Sequence, residues 1–179
     1  MLLPPPYWSL RDYGVAGQLG LESSFEEYIA KLCDIFDEVK RTLKKSGTIW
    51  INLGDTYGGT GAGHQNSPES RGKQTEGAYL LQDKARKNKG DNTKEYEKSL
   101  LMIPSRFGIE MIGRGWILRN LIIWHKKNAM PSSVIDRLTN RYEQVFFFVK
   151  DKKYHFDLDS IRVPFETIDK RPDGIFRNR

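Results

Sequence analysis

Near its start the chain carries Pro4-Pro5-Pro6-Tyr7-Trp8, a run in which stiff backbone and aromatic rings meet. Each pyrrolidine ring locks φ and removes a donor N–H, so the Pro5-Pro6 unit points the Pro5 carbonyl in one fixed direction. Such a carbonyl accepts a hydrogen bond at a defined place, and the Tyr7 ring beside it offers a surface on which a planar group can stack. Pro4 to Tyr7 also fit a polyproline ligand for a WW-type domain, and these residues alone leave both readings open. A second group of chemically capable side chains, His125, Lys126, Lys127, Asn128 and Arg137, gathers in the C-terminal half. His125 has no metal-ligating partners near it in sequence, so a packing or loop-orienting role is expected and no metal is expected. Asp55, after an apolar run, either faces a cleft or caps a loop. Cys33 cannot form an internal disulfide and falls on the apolar side of a helical pattern, which makes it a buried structural thiol.

These residues need elements to hold them. The chain has 179 residues, 38% of them hydrophobic, which suits one domain with a packed core. Its apolar runs are too short to span a bilayer and it opens on no signal peptide, so a cytoplasmic protein is expected. With 29 Lys and Arg against 23 Asp and Glu, the formal charge of +6 suits a polyanionic partner. Ser24 and Glu27 form a capping box, and Phe25, Tyr28, Ile29, Leu32, Ile35, Phe36, Val39 and Leu43 then recur at helical spacing. The spacing predicts a helix from about Phe25 to Lys45, stopped by Gly47. Thr48 to Leu53 reads as a buried parallel strand ended by Gly54. From about 54 to 99 no period persists, and a long mobile loop is expected, including the basic residues Lys84, Arg86, Lys87 and Lys89. A second helix begins at Pro104 with Phe107, Met111 and Ile112 on its apolar side, and Gly113 and Gly115 end it. Trp116 to Trp124 and Tyr142 to Val149 read as two further strands, with Trp116 and Trp124 in the core. After Pro164 a polar tail is expected.

Pro5-Pro6-Tyr7-Trp8, followed by Ser9-Leu10-Arg11-Asp12-Tyr13-Gly14, resembles the catalytic motif of the DNA amino-methyltransferases, written Asp/Asn/Ser-Pro-Pro-Tyr/Phe/Trp in that family. Further blocks follow the family's order: Ile51 to Asp55, Gly115 to Arg119, Ile123 to Lys126, Asn128, Met130-Pro131, Asp136-Arg137, Tyr142-Glu143, Phe146 to Phe148, and Phe156 to Asp159 with Ile161-Arg162. The matches span about positions 5 to 164. The resemblance implies methyl transfer from S-adenosylmethionine to the exocyclic amine of cytosine (N4) or adenine (N6) in double-stranded DNA, with a slight lean to cytosine. Such an amine is a poor nucleophile because its lone pair is delocalised into the ring, so fixed acceptors for its hydrogens restore density to nitrogen. The implied catalytic residues are Pro5, Pro6, Tyr7 and Trp8, with the Pro5 carbonyl as one acceptor and Tyr7 stacked on a flipped-out base. The implied DNA contacts are Lys126, Lys127, Asn128 and Arg137, cations to phosphates and Asn to a base edge.

Position 4 departs from the motif. Pro4 has no side-chain oxygen, so one of the two acceptors is lacking, and a catalytically silent DNA-binding or regulatory fragment stands as the alternative. Met1-Leu2-Leu3 is shorter than the strand that normally delivers the motif. Gly59-Thr60-Gly61-Ala62-Gly63 has the letters of a cofactor-binding turn, but the preceding strand ends at Leu53 and His64 to Pro68 begin no amphipathic helix, so it belongs to the loop. In the permuted subgroup whose catalytic motif comes first, the cofactor motif lies toward the carboxyl end, and Arg179 is reached before it. The expected fold is therefore α/β, a partial Rossmann-like methyltransferase sheet: its target-base half over 1–164, closed by a terminal antiparallel strand pair, then a tail over 165–179. Its cofactor half is expected to be absent or supplied by a second polypeptide.

Overall fold

The computed structural model describes residues 2–59, 92–129, 132 and 134–163. The expected carboxyl tail and the loop residues 60–91, including the basic stretch and most of the Gly-rich run, lie outside the described residues. Strands β1 (Leu2–Leu3), β2 (Thr48–Leu53), β3 (Ile117–His125) and β4 (Tyr142–Val149) form one sheet in the order β1-β2-β4-β3. β1 runs parallel to β2, while β2–β4 and β4–β3 are antiparallel. The α/β class and the closing antiparallel pair match the expectation. β1 is two residues long, with Leu2 and Leu3 in register with Trp50 and Ile51.

Helix α1 (Phe25–Thr42) buries Phe25, Tyr28, Ile29, Leu32, Cys33 and Phe36. At its start the Glu27 backbone N–H donates to Ser24 Oγ at 3.2 Å, and the Glu27 carboxylate accepts from the Ser23 N–H and hydroxyl, one residue before the cap. It ends three residues short of Lys45 because Leu43 turns extended, and Lys150 Nζ donates to the Lys40 and Leu43 carbonyls that the helix leaves open. Helix α2 (Ile103–Gly113) buries Phe107, Gly108 and Met111, and Gly115 follows at φ +80°. Ile112 corrects the expectation: it is 49% exposed, because the α2 stripe facing the sheet is narrow. At Gly108 a Cβ would lie 2.7 Å from Phe146, so only glycine lets α2 approach β4 this closely.

The two sheet faces are built differently. Ile49, Ile51, Phe146 and Phe148 face the helices, where Phe107 meets Phe36, Phe146 and Phe148 at centroid distances of 5.6–6.4 Å. On the other face Trp50 stacks on its cross-strand partner Phe147 at 4.3 Å, and Tyr154 and Phe156 pack on Phe147. Trp116 is buried as expected. Trp124 is not: it is 53% exposed, because β3 is an edge strand and the helices cover mainly β2 and β4.

Both flanks of the long loop are tied down, so its unpatterned part is shorter than 54–99. The Gly58 N–H donates to the Ser99 carbonyl, Gly59 to Thr93, and Leu101 to the Thr56 carbonyl, at 2.8–3.0 Å. A 3-10 turn over Lys94–Tyr96 packs Tyr96 against Phe25. Among the described residues no helix is long and apolar enough to cross a membrane.

Candidate active site

β1 delivers Pro4 to Trp8 to the carboxyl end of the parallel pair, where open α/β sheets place ligands. Two features lock the motif from behind. The Tyr28 hydroxyl on α1 donates to the Pro6 carbonyl at 2.7 Å, and Trp8 is buried with its indole N–H on the Glu22 carbonyl at 3.1 Å and its ring edge-on to Phe25. Trp8 thus sits in the core as an anchor, while Pro5, Pro6 and Tyr7 remain at the surface of the site.

Tyr7 stands between two hollows. One, of about 230 Å³, is lined by Pro4, Pro5, Pro6, Leu10, Arg11 and Tyr13 besides Tyr7 itself. The other, of about 260 Å³, lies between Tyr7 and Leu10 on one side and Asp55, Pro104, Lys126, Tyr142, Glu143 and Gln144 on the other. The Tyr7 ring lies close against Gly54, where any Cβ would come within 2.6 Å of the ring. Glycine at 54 therefore gives Tyr7 its place.

Glu143, on β4, joins the wall together. Its carboxylate accepts from Asn52 Nδ2 at 2.9 Å on β2, from Lys126 Nζ at the end of β3, and from the Tyr7 hydroxyl. Burial pushes the Glu143 carboxyl up, but these three donors outweigh it and hold the group below the ordinary glutamate range. Tyr7 moves the opposite way, its phenol raised by burial and by the Glu143 carboxylate, so it stays a neutral donor. Asp55 does both things left open for it: it lines the cleft, and its Oδ1 accepts from the backbone N–H of Thr56 (2.9 Å) and of Ile103 (3.1 Å), which caps α2. Burial raises its carboxyl above the usual value. Next to it on the cleft, Gln144 is buried and its side-chain oxygen has no donor among the described residues.

Of the four residues expected at DNA, Lys126 is at the cleft and paired with Glu143, Lys127 and Asn128 are exposed just beyond β3, and Arg137 lies over the Tyr57 ring at 3.7 Å. The structure brings Lys126 together with Tyr7; it does not bring Arg137 to the cleft lining. Glu143 and Asn52 were not singled out as functional side chains. Their signal was present as Asn52 within the apolar run TIWINL and Glu143 near the start of YEQVFFFV, polar groups that a sheet interior accepts at low cost when they pair. Cys33 is fully buried, its thiol pushed up to about 12 by burial, as a structural cysteine should be.

The DNA methylase family profile matches residues 1–173. The chain belongs to the DNA methylase family. Type II methyltransferase M.SmaI of Serratia marcescens is 40% identical over 169 residues, covering 89% of this chain and 52% of its own length. Type II methyltransferase M.Cfr9I of Citrobacter freundii is 38% identical over 175 residues, 98% of this chain and 53% of its own. The chain thus spans about half the length of these curated relatives. Among solved structures, the PvuII DNA methyltransferase (cytosine-N4-specific) superposes with a TM-score of 0.51 at 16% identity, over 86% of this chain and 42% of that one. That likeness is one of fold.

Proposed function

We propose that this chain captures the target base of a DNA methyltransferase that moves a methyl group from S-adenosylmethionine to the exocyclic amine of cytosine or adenine. The carrying observation is Tyr7: a stacking ring fixed by Gly54 and Glu143, immediately after a Pro5 carbonyl whose direction two prolines set, at the mouth of a base-sized cleft. A base leaving the duplex stacks on Tyr7 with one amine hydrogen taken by the Pro5 carbonyl, while Pro4 offers no side-chain acceptor for the other. Lys127 and Asn128 are exposed and follow Lys126, which lines the cleft, and they suit phosphate and base-edge contacts.

The methyl donor is a different matter. Among the described residues no strand passes through a Gly-rich turn directly into a helix, the setting in which such a cofactor is bound. The described residues do not fit S-adenosylmethionine.

Pro4 favours a second reading, a chain that binds DNA and holds the base without supporting transfer. One experiment separates the two: residues 2–163 replace the matching segment of the Serratia marcescens relative, and transfer of labelled methyl groups to duplex DNA is followed. Slow transfer that is abolished by Tyr7→Ala and raised by Pro4→Ser supports the enzyme. A folded chimera with no transfer even as Pro4→Ser supports the silent reading. Equal rates for parent, Pro4→Ser and Tyr7→Ala would overturn the placement of the site altogether.

A further inference from the structure

Six side chains of α1 are buried, and Tyr28 alone among them carries a hydroxyl. For packing, a phenylalanine ring would fill the same fully buried place. A buried hydroxyl costs stability unless it finds a partner, and this one donates to the Pro6 carbonyl, 22 positions earlier, at 2.7 Å. Burial, reinforced by the Glu22 carboxylate, raises the Tyr28 phenol above its ordinary value, so the group remains a donor. Tyr28 belongs to the first turn of α1, where its N–H donates to the carbonyl of the capping Ser24 at 3.2 Å, so the hydroxyl acts from a fixed base.

That bond controls the loose torsion inside the motif. The pyrrolidine rings fix φ at Pro5 and Pro6, and a residue that precedes a proline is confined to extended ψ, which settles Pro4 and Pro5 as well. Pro6 is followed by Tyr7, so neither constraint reaches ψ of Pro6. Rotation about it swings the Pro6 carbonyl and carries the Tyr7 backbone round relative to the Pro5 carbonyl. A captured base has to meet both groups at once, the carbonyl with its amine and the ring with its face. The Tyr28 hydroxyl, by holding the Pro6 carbonyl, fixes the torsion that the prolines leave open.

We infer that Tyr28 is a positioning residue for methyl transfer: its hydroxyl sets ψ of Pro6, and with it the angle at which the Pro5 carbonyl meets a base stacked on Tyr7. The inference rests on the base-capturing reading of the cleft. Tyr28 lies in the core and acts only through the Pro6 peptide. The stacking ring keeps its own supports, Gly54 and the Glu143 carboxylate, so base binding survives loss of the hydroxyl. Transfer is more demanding, because it needs the acceptor aligned with the reacting amine, and misalignment lowers kcat and leaves KM in place.

The test makes two measurements on the parent and on Tyr28→Phe, which keeps the buried ring and removes only the hydroxyl. In the full chain, the nuclear Overhauser intensity between Pro6 Hα and the Tyr7 N–H reports ψ of Pro6 directly. In the variant it is expected to move toward the value of a freely rotating peptide. In the Serratia marcescens chimera carrying Pro4→Ser, kcat for transfer of labelled methyl groups is expected to fall about tenfold with KM for DNA unchanged. An unchanged Overhauser intensity, a kcat equal to the parent's, or a loss confined to KM overturns the inference. So does a fall in kcat that matches the loss of folded chain seen by far-ultraviolet circular dichroism, which makes Tyr28 a purely structural residue, and so does a chimera that transfers nothing. Transfer that Tyr7→Ala leaves untouched overturns instead the base-capturing reading of the cleft.

Discussion

At Tyr7 two demands meet in one side chain. The ring must present a flat face to a base, and the hydroxyl must not let it rotate away. Gly54 answers the first by leaving room for the ring, and Glu143 the second by taking the hydroxyl proton as a hydrogen bond. Removing the ring with Tyr7→Ala is expected to lower methyl transfer by the chimera about 5- to 150-fold, because base stacking on an aromatic ring is worth about 1–3 kcal/mol. Pro4→Ser is expected to raise transfer by roughly a hundredfold, the worth of one preorganised hydrogen bond to a reacting group, about 3 kcal/mol; initial rates at saturating donor and DNA measure both. Glu143 also gives a pH signature. Its folded carboxyl titrates below the ordinary glutamate value, so its contribution to stability is present above about pH 4.3 and is lost as pH falls through the lower folded value. Asp55, raised by burial, titrates with the opposite sign, so the difference between parent and Glu143→Gln isolates the effect. Chemical denaturation at stepped pH should show that difference near neutrality and see it vanish in acid; a constant difference across the range would remove Glu143 from this role.

At the scale of elements, the site depends on where strands end. β1 ends beside Ile51, two residues before β2 ends at Leu53, β3 ends at His125, and β4 begins at Tyr142, so Tyr7, Asn52, Lys126 and Glu143 come from four segments to one point. Gly54→Val should displace the Tyr7 ring, since a Cβ would sit 2.6 Å from it, and should weaken base capture as much as Tyr7→Ala does while the helices stay folded. Methyl transfer by the chimera and far-ultraviolet circular dichroism together check this. Ser24→Ala removes the α1 cap and is expected to cost about 1 kcal/mol of stability with little effect on the cleft, read as a shift of the denaturation midpoint. β3 shows how an element's place overrides its pattern: an apolar run that reads as core ends up with Leu121, Ile123 and Trp124 about half exposed, because it pairs on one side only.

Over the whole molecule, a formal charge of +6 and cations around the cleft predict duplex binding that weakens steeply with salt, with log affinity falling linearly in log salt concentration. A salt-independent affinity would count against phosphate contacts as its source. Much of this protein was legible before any coordinates. The capping box at Ser24, the helical stripe from Phe25, the short apolar run Thr48–Leu53 and the prolines before Tyr7 are local signals, and local sterics and hydrogen bonding decide helix, strand and rigid turn. The family likewise follows from motif order along the chain. What only the tertiary structure decided depends on residues far apart in sequence. Glu143 and Asn52 are 91 positions apart, and their pairing follows from the antiparallel register of β2 with β4. Trp8 became an anchor and Trp124 an exposed side chain because burial is set by which elements pack over a residue, and periodicity within one element carries no information about that. The course of the β3–β4 connection belongs to the same class: a loop without a period is shaped by its anchors, Lys98 and Tyr57, which chain order leaves distant and folding brings alongside.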